Sequence, residues 1–306
     1  MSNKPLIDFD SFEVKYSLPK LLKDKTTNRN IIFATENYES LGESFKKTSP
    51  VTEKALKQID LKPRVLKSIE AQKSRTKSKA EVFTPSWICN QMNNHCDEIW
   101  FGKKDVFNIE EDKTWKTKKE KIVFPEGKSW FDYIELRRLE ITCGEAPFIV
   151  SRYDTSSGKY INVKDRIGFL DRKIRVISEN INEEDKWIGY VMRAYKSTYA
   201  YEFQGDNLIL ARLNLLLTFV EHLNNKWHRK PTMKELDIIS NIIVKNIWQM
   251  DAFTECPPYL DPDETIVDNN GNEIKKNKCK VFDWTDKSGR FVLFEKLKGE
   301  IGRAHV

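Results

Sequence analysis

Apolar and polar positions alternate along this chain with two different periods, and the period switches mark out its elements. Apolar residues fall at helical spacing from Val51 to Gln72, with an interruption at Pro63, and again through Ile88, Met92 and Cys96. Leu139 to Ile141 is β-prone and apolar enough for a short buried strand; the pattern then breaks at Gly144 and resumes at Phe148, which predicts a strand, a tight loop and the start of a helix. Ile167 to Ile177 and Trp187 to Tyr195 predict two helices, and Tyr199 to Phe203 a strand. A long apolar helix follows through Leu208, Ala211, Leu213, Leu215 and Leu216. Thr232-Met233-Lys234-Glu235 is a capping box opening a further helix, whose face runs through Leu236, Ile239 and Ile243 and which ends near Lys245.

In an open α/β sheet a loop such as the one at Gly144 lies at the carboxyl end of its strand, where ligands bind. Outside this pattern, residues 1 to about 50 read as a polar arm or irregular cap. Gly102 to Lys128 is a charged insertion, expected as a surface excursion. Asp261 to Lys278 reads as loop, with a hairpin turn at Asp268-Asn269-Asn270-Gly271, and Cys279 to Trp284 and Arg290 to Phe294 as a strand pair.

Composition narrows the function classes. The 306 residues are 39% hydrophobic and 32% charged, an ordinary soluble composition able to bury one large core or two smaller ones. No apolar run is long enough to span a bilayer and Met1 to Asp10 has no signal-peptide core, so no membrane partner and a cytoplasmic location are expected. Five cysteines without Cys-x-x-Cys spacing predict reduced thiols and no structural metal. The net charge of +6, with a basic run of Arg64, Lys67, Lys73, Arg75, Lys77 and Lys79, suits a polyanionic partner or a solvated helix face.

Four short segments carry candidate chemistry. In the first, Leu139-Glu140-Ile141-Thr142-Cys143-Gly144-Glu145-Ala146-Pro147-Phe148, Gly144 lets backbone approach a ligand and Glu140 presents a carboxylate to it. Earlier in the chain, Phe83-Thr84-Pro85 makes a helix start, with Thr84 as cap and Pro85 in the first turn. Glu202 ends a strand, where an acid can accept from both ribose hydroxyls of a nucleotide; Asp206 is its rival, better suited to a helix start. Asp251 follows Asn246-Ile247-Trp248-Gln249-Met250, and a turn-forming aspartate is the plain alternative.

The decapeptide resembles motif I of the S-adenosylmethionine-dependent DNA adenine (N6) methyltransferases of restriction-modification systems: Glu140, Cys143, Gly144 and Phe148 fall on that pattern, while Ala146 stands at its second glycine and Glu145 at a usually small residue. Phe83-Thr84-Pro85 is similar to that family's motif X, which holds the methionine end of the cofactor, and precedes motif I as it does there. Glu202, with Ala211 and Leu215 at the family's offset, and Asp251 are similar to the acids that contact the ribose and the adenine amine. The resemblance covers roughly residues 60 to 298. It implies a Rossmann-like class I methyltransferase sheet flanked by helices, with Phe83, Thr84, Pro85, Glu140, Thr142, Cys143, Gly144, Phe148, Glu202 and Asp251 around S-adenosyl-L-methionine. It also implies double-stranded DNA as partner of the full-length protein, and a nuclease or specificity domain or subunit.

The catalytic Asn-Pro-Pro-Tyr or Asp-Pro-Pro-Tyr tetrapeptide of that family has no match. Cys256-Pro257-Pro258-Tyr259 resembles it, but a cysteine lacks the carbonyl oxygen that holds the target amine, and too few residues separate it from Asp251 for another strand; a proline turn is the better expectation. The last residues, Ile301 to Val306, read like one frame of a sequencing adapter, so the sheet is expected to be incomplete and the chain inactive by itself. The expected organisation is an N-terminal arm and helical region over 1–79, a partial cofactor-binding domain over 80–298 and a non-native tail at 301–306. Two other classes remain open: a non-catalytic DNA-binding subunit of similar fold, or a methyltransferase acting on RNA or protein.

Overall fold

The computed structural model describes residues 5–67, 84–267, 273–285 and 289–301. Phe83, the basic positions 73–79, the turn at 268–271 and the tail beyond Ile301 lie outside them.

At the centre are three parallel strands, β3 (Arg138–Glu140), β4 (Thr198–Glu202) and β5 (Ile247–Gln249), in the spatial order β3-β4-β5. Register pairs Glu140 with Ala200 and Glu202 with Gln249, so the three strands end nearly level. The helices between them are those the apolar period predicts: α5 (Phe169–Asn180), α6 (Glu184–Lys196), α7 (Gly205–Trp227) and α8 (Met233–Asn246). Thr232 and Glu235 form the predicted capping box, each side chain bonded to the other's backbone N–H. Every residue of β4 is buried because both faces of the sheet are covered. Ala200 and Ile247 face the helices and join the main core, whereas Tyr199, Tyr201 and Trp248 pack against Val281, Phe294 and Leu297 near the C-terminus.

That second layer is an antiparallel pair, β8 (Lys280–Asp283) with β9 (Arg290–Leu293), followed by α9 (Phe294–Ile301), which agrees with the strand pair read from the sequence. The strands flanking the expected 268–271 turn, β6 (Thr265–Val267) and β7 (Glu273–Lys275), also pair antiparallel.

Of the two readings of the first fifty residues, arm or irregular cap, residues 5 to 50 take the second: α1 (Phe12–Leu21) packs on α7 and α8, and Val14, Leu18, Leu21, Ile31 and Phe33 share the main core cluster with Leu213 and Ile239. Their apolar positions are too irregularly spaced to register as one period. The insertion is only partly a surface excursion. It forms a hairpin, β1 (Asn108–Glu111) with β2 (Thr114–Thr117), pinned by buried Phe107 and Ile122. Finally, no helix begins at Phe148. Residues 141–150 are successive turns, and the next α-helix is α5.

Buried charges fix the strands in place. Arg212 of α7, fully buried, donates to Ile247 O and to the carbonyls of Leu21 and Lys23, tying β5 and the end of α1 to one helix. Asp97 lies on α3 (Ser86–Phe101) and accepts from Arg138 at the start of β3, Arg172 of α5 and the Tyr133 hydroxyl. Burial works against its charge, but the two guanidiniums outweigh it and hold its carboxyl below the usual range.

Candidate functional site

The loop after β3 is tightly constrained. Thr142, Gly144 and Ala146 have φ of 47°, 54° and 64°, three left-handed residues within five positions. For glycine this costs nothing; for alanine and especially for β-branched Thr142 it costs about 1–2 kcal/mol each. Several contacts hold the loop in this shape. The Cys143 N–H donates to Tyr201 O at 2.9 Å, and the Gly144 N–H donates to Glu202 Oε2 at 2.9 Å. Glu145 turns inward, 3% exposed, and accepts from the Tyr153 hydroxyl and the Arg64 N–H, while Asn214 of α7 donates to its carbonyl. In the sequence Glu145 stands where the related motif usually carries a small residue. Its role depends on Tyr153, Arg64 and Asn214, none of them adjacent in the chain, so no local signal marks it.

Glu140 ends β3 with its carboxylate under this loop. Its pKa is raised well above the ordinary value, first by burial, with the amides of Phe148 and Ile149 pulling the other way and the charge of Glu202 adding to the rise. Its Oε2 is buried with no hydrogen-bond partner. Beside it are two thiols, Cys143 and Cys89, both pushed up by burial and by the Glu140 charge. A buried carboxylate oxygen with nothing to accept from is costly, and a cationic or N–H-bearing group would satisfy it.

Glu202 ends β4. Besides Gly144, its carboxylate accepts from the Gln204 N–H, and its carbonyl accepts from the Met250 N–H, which places Asp251 one residue beyond that contact. Asp251 is half-buried, and its Oδ1 closes its own turn by accepting from the Phe253 N–H, the plain role allowed for it from sequence. The rival Asp206 lies in the first turn of α7, fully buried, accepting from the Tyr38 hydroxyl and 3.8 Å from Lys67 Nζ. Its helix-start role is the one the sequence suggested.

Thr84 and Pro85 stand before α3, which starts at Ser86. Contrary to expectation Thr84 is not the cap: Pro85 occupies that position without a side-chain bond, and the Ser86 N–H is met by Asp154 at 3.3 Å. Asp154 also accepts from Ser156 and Ser157, which holds its pKa down at about 2 despite burial. The Thr84 carbonyl accepts from the Thr155 hydroxyl and the Cys89 thiol, so this segment sits against Glu140's neighbour and the stretch following the loop.

The structure thus brings Glu140, Thr142, Cys143, Gly144, Glu202 and Asp251 to the carboxyl ends of three adjacent strands, with Thr84 alongside through Cys89. Phe148 is half-buried in the turns that replace the expected helix. Cys256 to Tyr259 adjoins this edge on its outer side, where the Tyr259 ring packs against Phe203, the residue after Glu202. Asp251 and Cys256 bridge across a tight turn, so the tetrapeptide follows β5 without an intervening strand, and Pro257, Pro258 and Tyr259 line a separate cavity of about 450 Å³ with Ile32 and Gln249 at the outer edge of β5. The Cys256 thiol is buried and contacts Thr254 O. Among the described residues no helix is long and apolar enough to cross a membrane. Comparison with protein-family models, curated proteins and solved structures gave no match.

Proposed function

We propose that the carboxyl edge of β3, β4 and β5 binds S-adenosyl-L-methionine, as the cofactor-binding part of a DNA adenine-N6 methyltransferase of the restriction-modification type. The observation that carries this reading is Glu140: a buried carboxylate with an unpartnered oxygen, at the end of a parallel strand and beneath a glycine loop. S-adenosylmethionine bears two cations, the sulfonium and the α-ammonium, either of which would satisfy that oxygen. The strand order supports it further: three parallel strands lie in chain order, as they would in one half of a doubly wound sheet, with the three sites along one edge. So does the left-handed Ala146, at the position where the related motif carries its second glycine.

In this arrangement Glu140 faces the positively charged end of the cofactor. Glu202 trades one of its backbone donors for ribose hydroxyls, and the Asp251 oxygen that does not close the turn accepts from the adenine amine. Among the described residues at this edge we assign none to hold a target amine, so the proposed role of these residues is cofactor binding. Calorimetric titration with S-adenosylmethionine tests it. Wild type should bind, and Glu202→Ala should bind at least about tenfold more weakly, the loss of roughly one charge-assisted hydrogen bond. Equal heats from the two proteins overturn the proposal.

A further inference from the structure

The cavity of about 450 Å³ at the outer edge of β5 has polar walls, and most of their hydrogen-bonding groups are already committed. The Gln249 Oε1 accepts from the Ile32 N–H, and its Nε2 donates to the carbonyls of Ile32 and Phe203. Asn30 is held between Lys23 and Val51 O, and Glu264 between Lys276 and Asn277. Asp24, Arg29 and Tyr259 line the same cavity and are not fully committed.

Asp24 is 3% exposed. Its Oδ2 accepts from both the N–H and the hydroxyl of Thr27 at 2.7 Å, and its N–H donates to Arg29 O at 2.8 Å, which closes residues 24–29 into one turn. Its Oδ1 is buried with no hydrogen-bond partner. Charge is not what this carboxylate lacks, because Arg212 and Lys25 both face it. The Arg212 guanidinium, however, is bonded to the carbonyls of Leu21, Lys23 and Ile247. What Oδ1 lacks is a hydrogen-bond donor, an N–H or an O–H.

Arg29 ends the same turn, exposed, and its guanidinium has no carboxylate at ion-pair distance among the described residues. Tyr259 is 49% exposed, with its ring edge-on to Phe203 at 5.8 Å between centroids. Pro257 and Pro258 continue its apolar surface along the cavity wall.

A water molecule would answer Asp24 alone. A cavity of this size encloses most of a small organic ligand, and an apolar wall with a few convergent polar groups is how such ligands are held. A ligand that meets all three groups carries an N–H donor, a flat ring and an anion. We infer that this cavity binds a nucleoside monophosphate, with a base N–H on Asp24 Oδ1, the base against Tyr259 and the phosphate on Arg29. Bases stack on aromatic side chains, and a guanidinium meets phosphate oxygens in pairs. Strands β4 and β5 lie between this cavity and Glu140, so the site is separate from the one proposed for the methyl donor, and the inference does not rest on that reading.

The test is calorimetric titration with guanosine 5′-monophosphate, guanosine, ribose 5-phosphate and inorganic phosphate; guanine keeps the probe distinct from the adenine of S-adenosylmethionine. Wild type should bind one guanosine 5′-monophosphate, and guanosine and ribose 5-phosphate each at least about tenfold more weakly, one recognition group being absent from each. Arg29→Gln should weaken the nucleotide about tenfold and leave guanosine unchanged. In Asp24→Asn the two Thr27 donors keep the amide oxygen at the Oδ2 position, so an NH2 replaces the acceptor, and guanosine binding should fall about tenfold while ribose 5-phosphate is unaffected. If that variant does not fold, Arg29→Gln and the two half-ligands still decide. No binding of the nucleotide by wild type, equal binding of inorganic phosphate, displacement by S-adenosylmethionine or undiminished affinity in Arg29→Gln overturns the inference.

Discussion

Replacing Glu140 by Gln separates the cost of the site from its use. Glu140 is 9% exposed, and its folded pKa stands well above the ordinary carboxyl value of 4.5 because of burial, with a smaller contribution from Glu202. A carboxyl whose pKa rises on folding holds its proton more tightly in the folded state. Its contribution to stability is therefore fully present below the unfolded pKa and is lost as pH rises through the folded value. At pH 8 Glu140 is thus a liability in the ligand-free protein. Relieving an unsatisfied buried charge is worth about 1–3 kcal/mol. With an unfolding entropy of about 2.1 cal/mol/K per residue, a chain of this length gains about 2–5 °C in Tm. Differential scanning calorimetry from pH 5 to 8.5 should show Glu140→Gln more stable than wild type at the alkaline end, with the gap closing toward acid. Saturating S-adenosylmethionine should do the reverse. At a hundred times its Kd it stabilises wild type by about 2.7 kcal/mol, roughly 4 °C, and this shift should be absent in the variant. A variant less stable than wild type at pH 8, a difference independent of pH, or an undiminished ligand shift would each refute the reasoning.

Two further outcomes follow from the same contacts. Asp97→Asn leaves Arg138 and Arg172 buried without their anion and should cost about 3–5 kcal/mol in urea denaturation at pH 7. Since the folded pKa of Asp97 is depressed, its contribution is present above the unfolded value and is lost as pH falls through the folded one; the variant should show a shallower acid loss below about pH 4. Thr142→Gly removes a β-branched residue from an exposed left-handed position and should raise stability by about 1 kcal/mol, read as a higher urea midpoint at unchanged m.

Periodicity made the helices and the order of the strands legible, because a 3.6-residue stripe or a short apolar run is imposed by burial of one face and survives in any tertiary setting. It also placed Glu140, Gly144 and Glu202 at the ends of strands, while Asp251 came from the resemblance alone, and the parallel sheet sets all four along one edge. Two things were settled only by the folded chain. The turns through Ala146 and Pro147 displaced the helix expected at Phe148, because loop conformation depends on partners such as Tyr153 and Asn214 that are distant in sequence. The first fifty residues became part of the core, since what buries Phe33 and Leu21 is the surface of α7 and α8 and no pattern of their own.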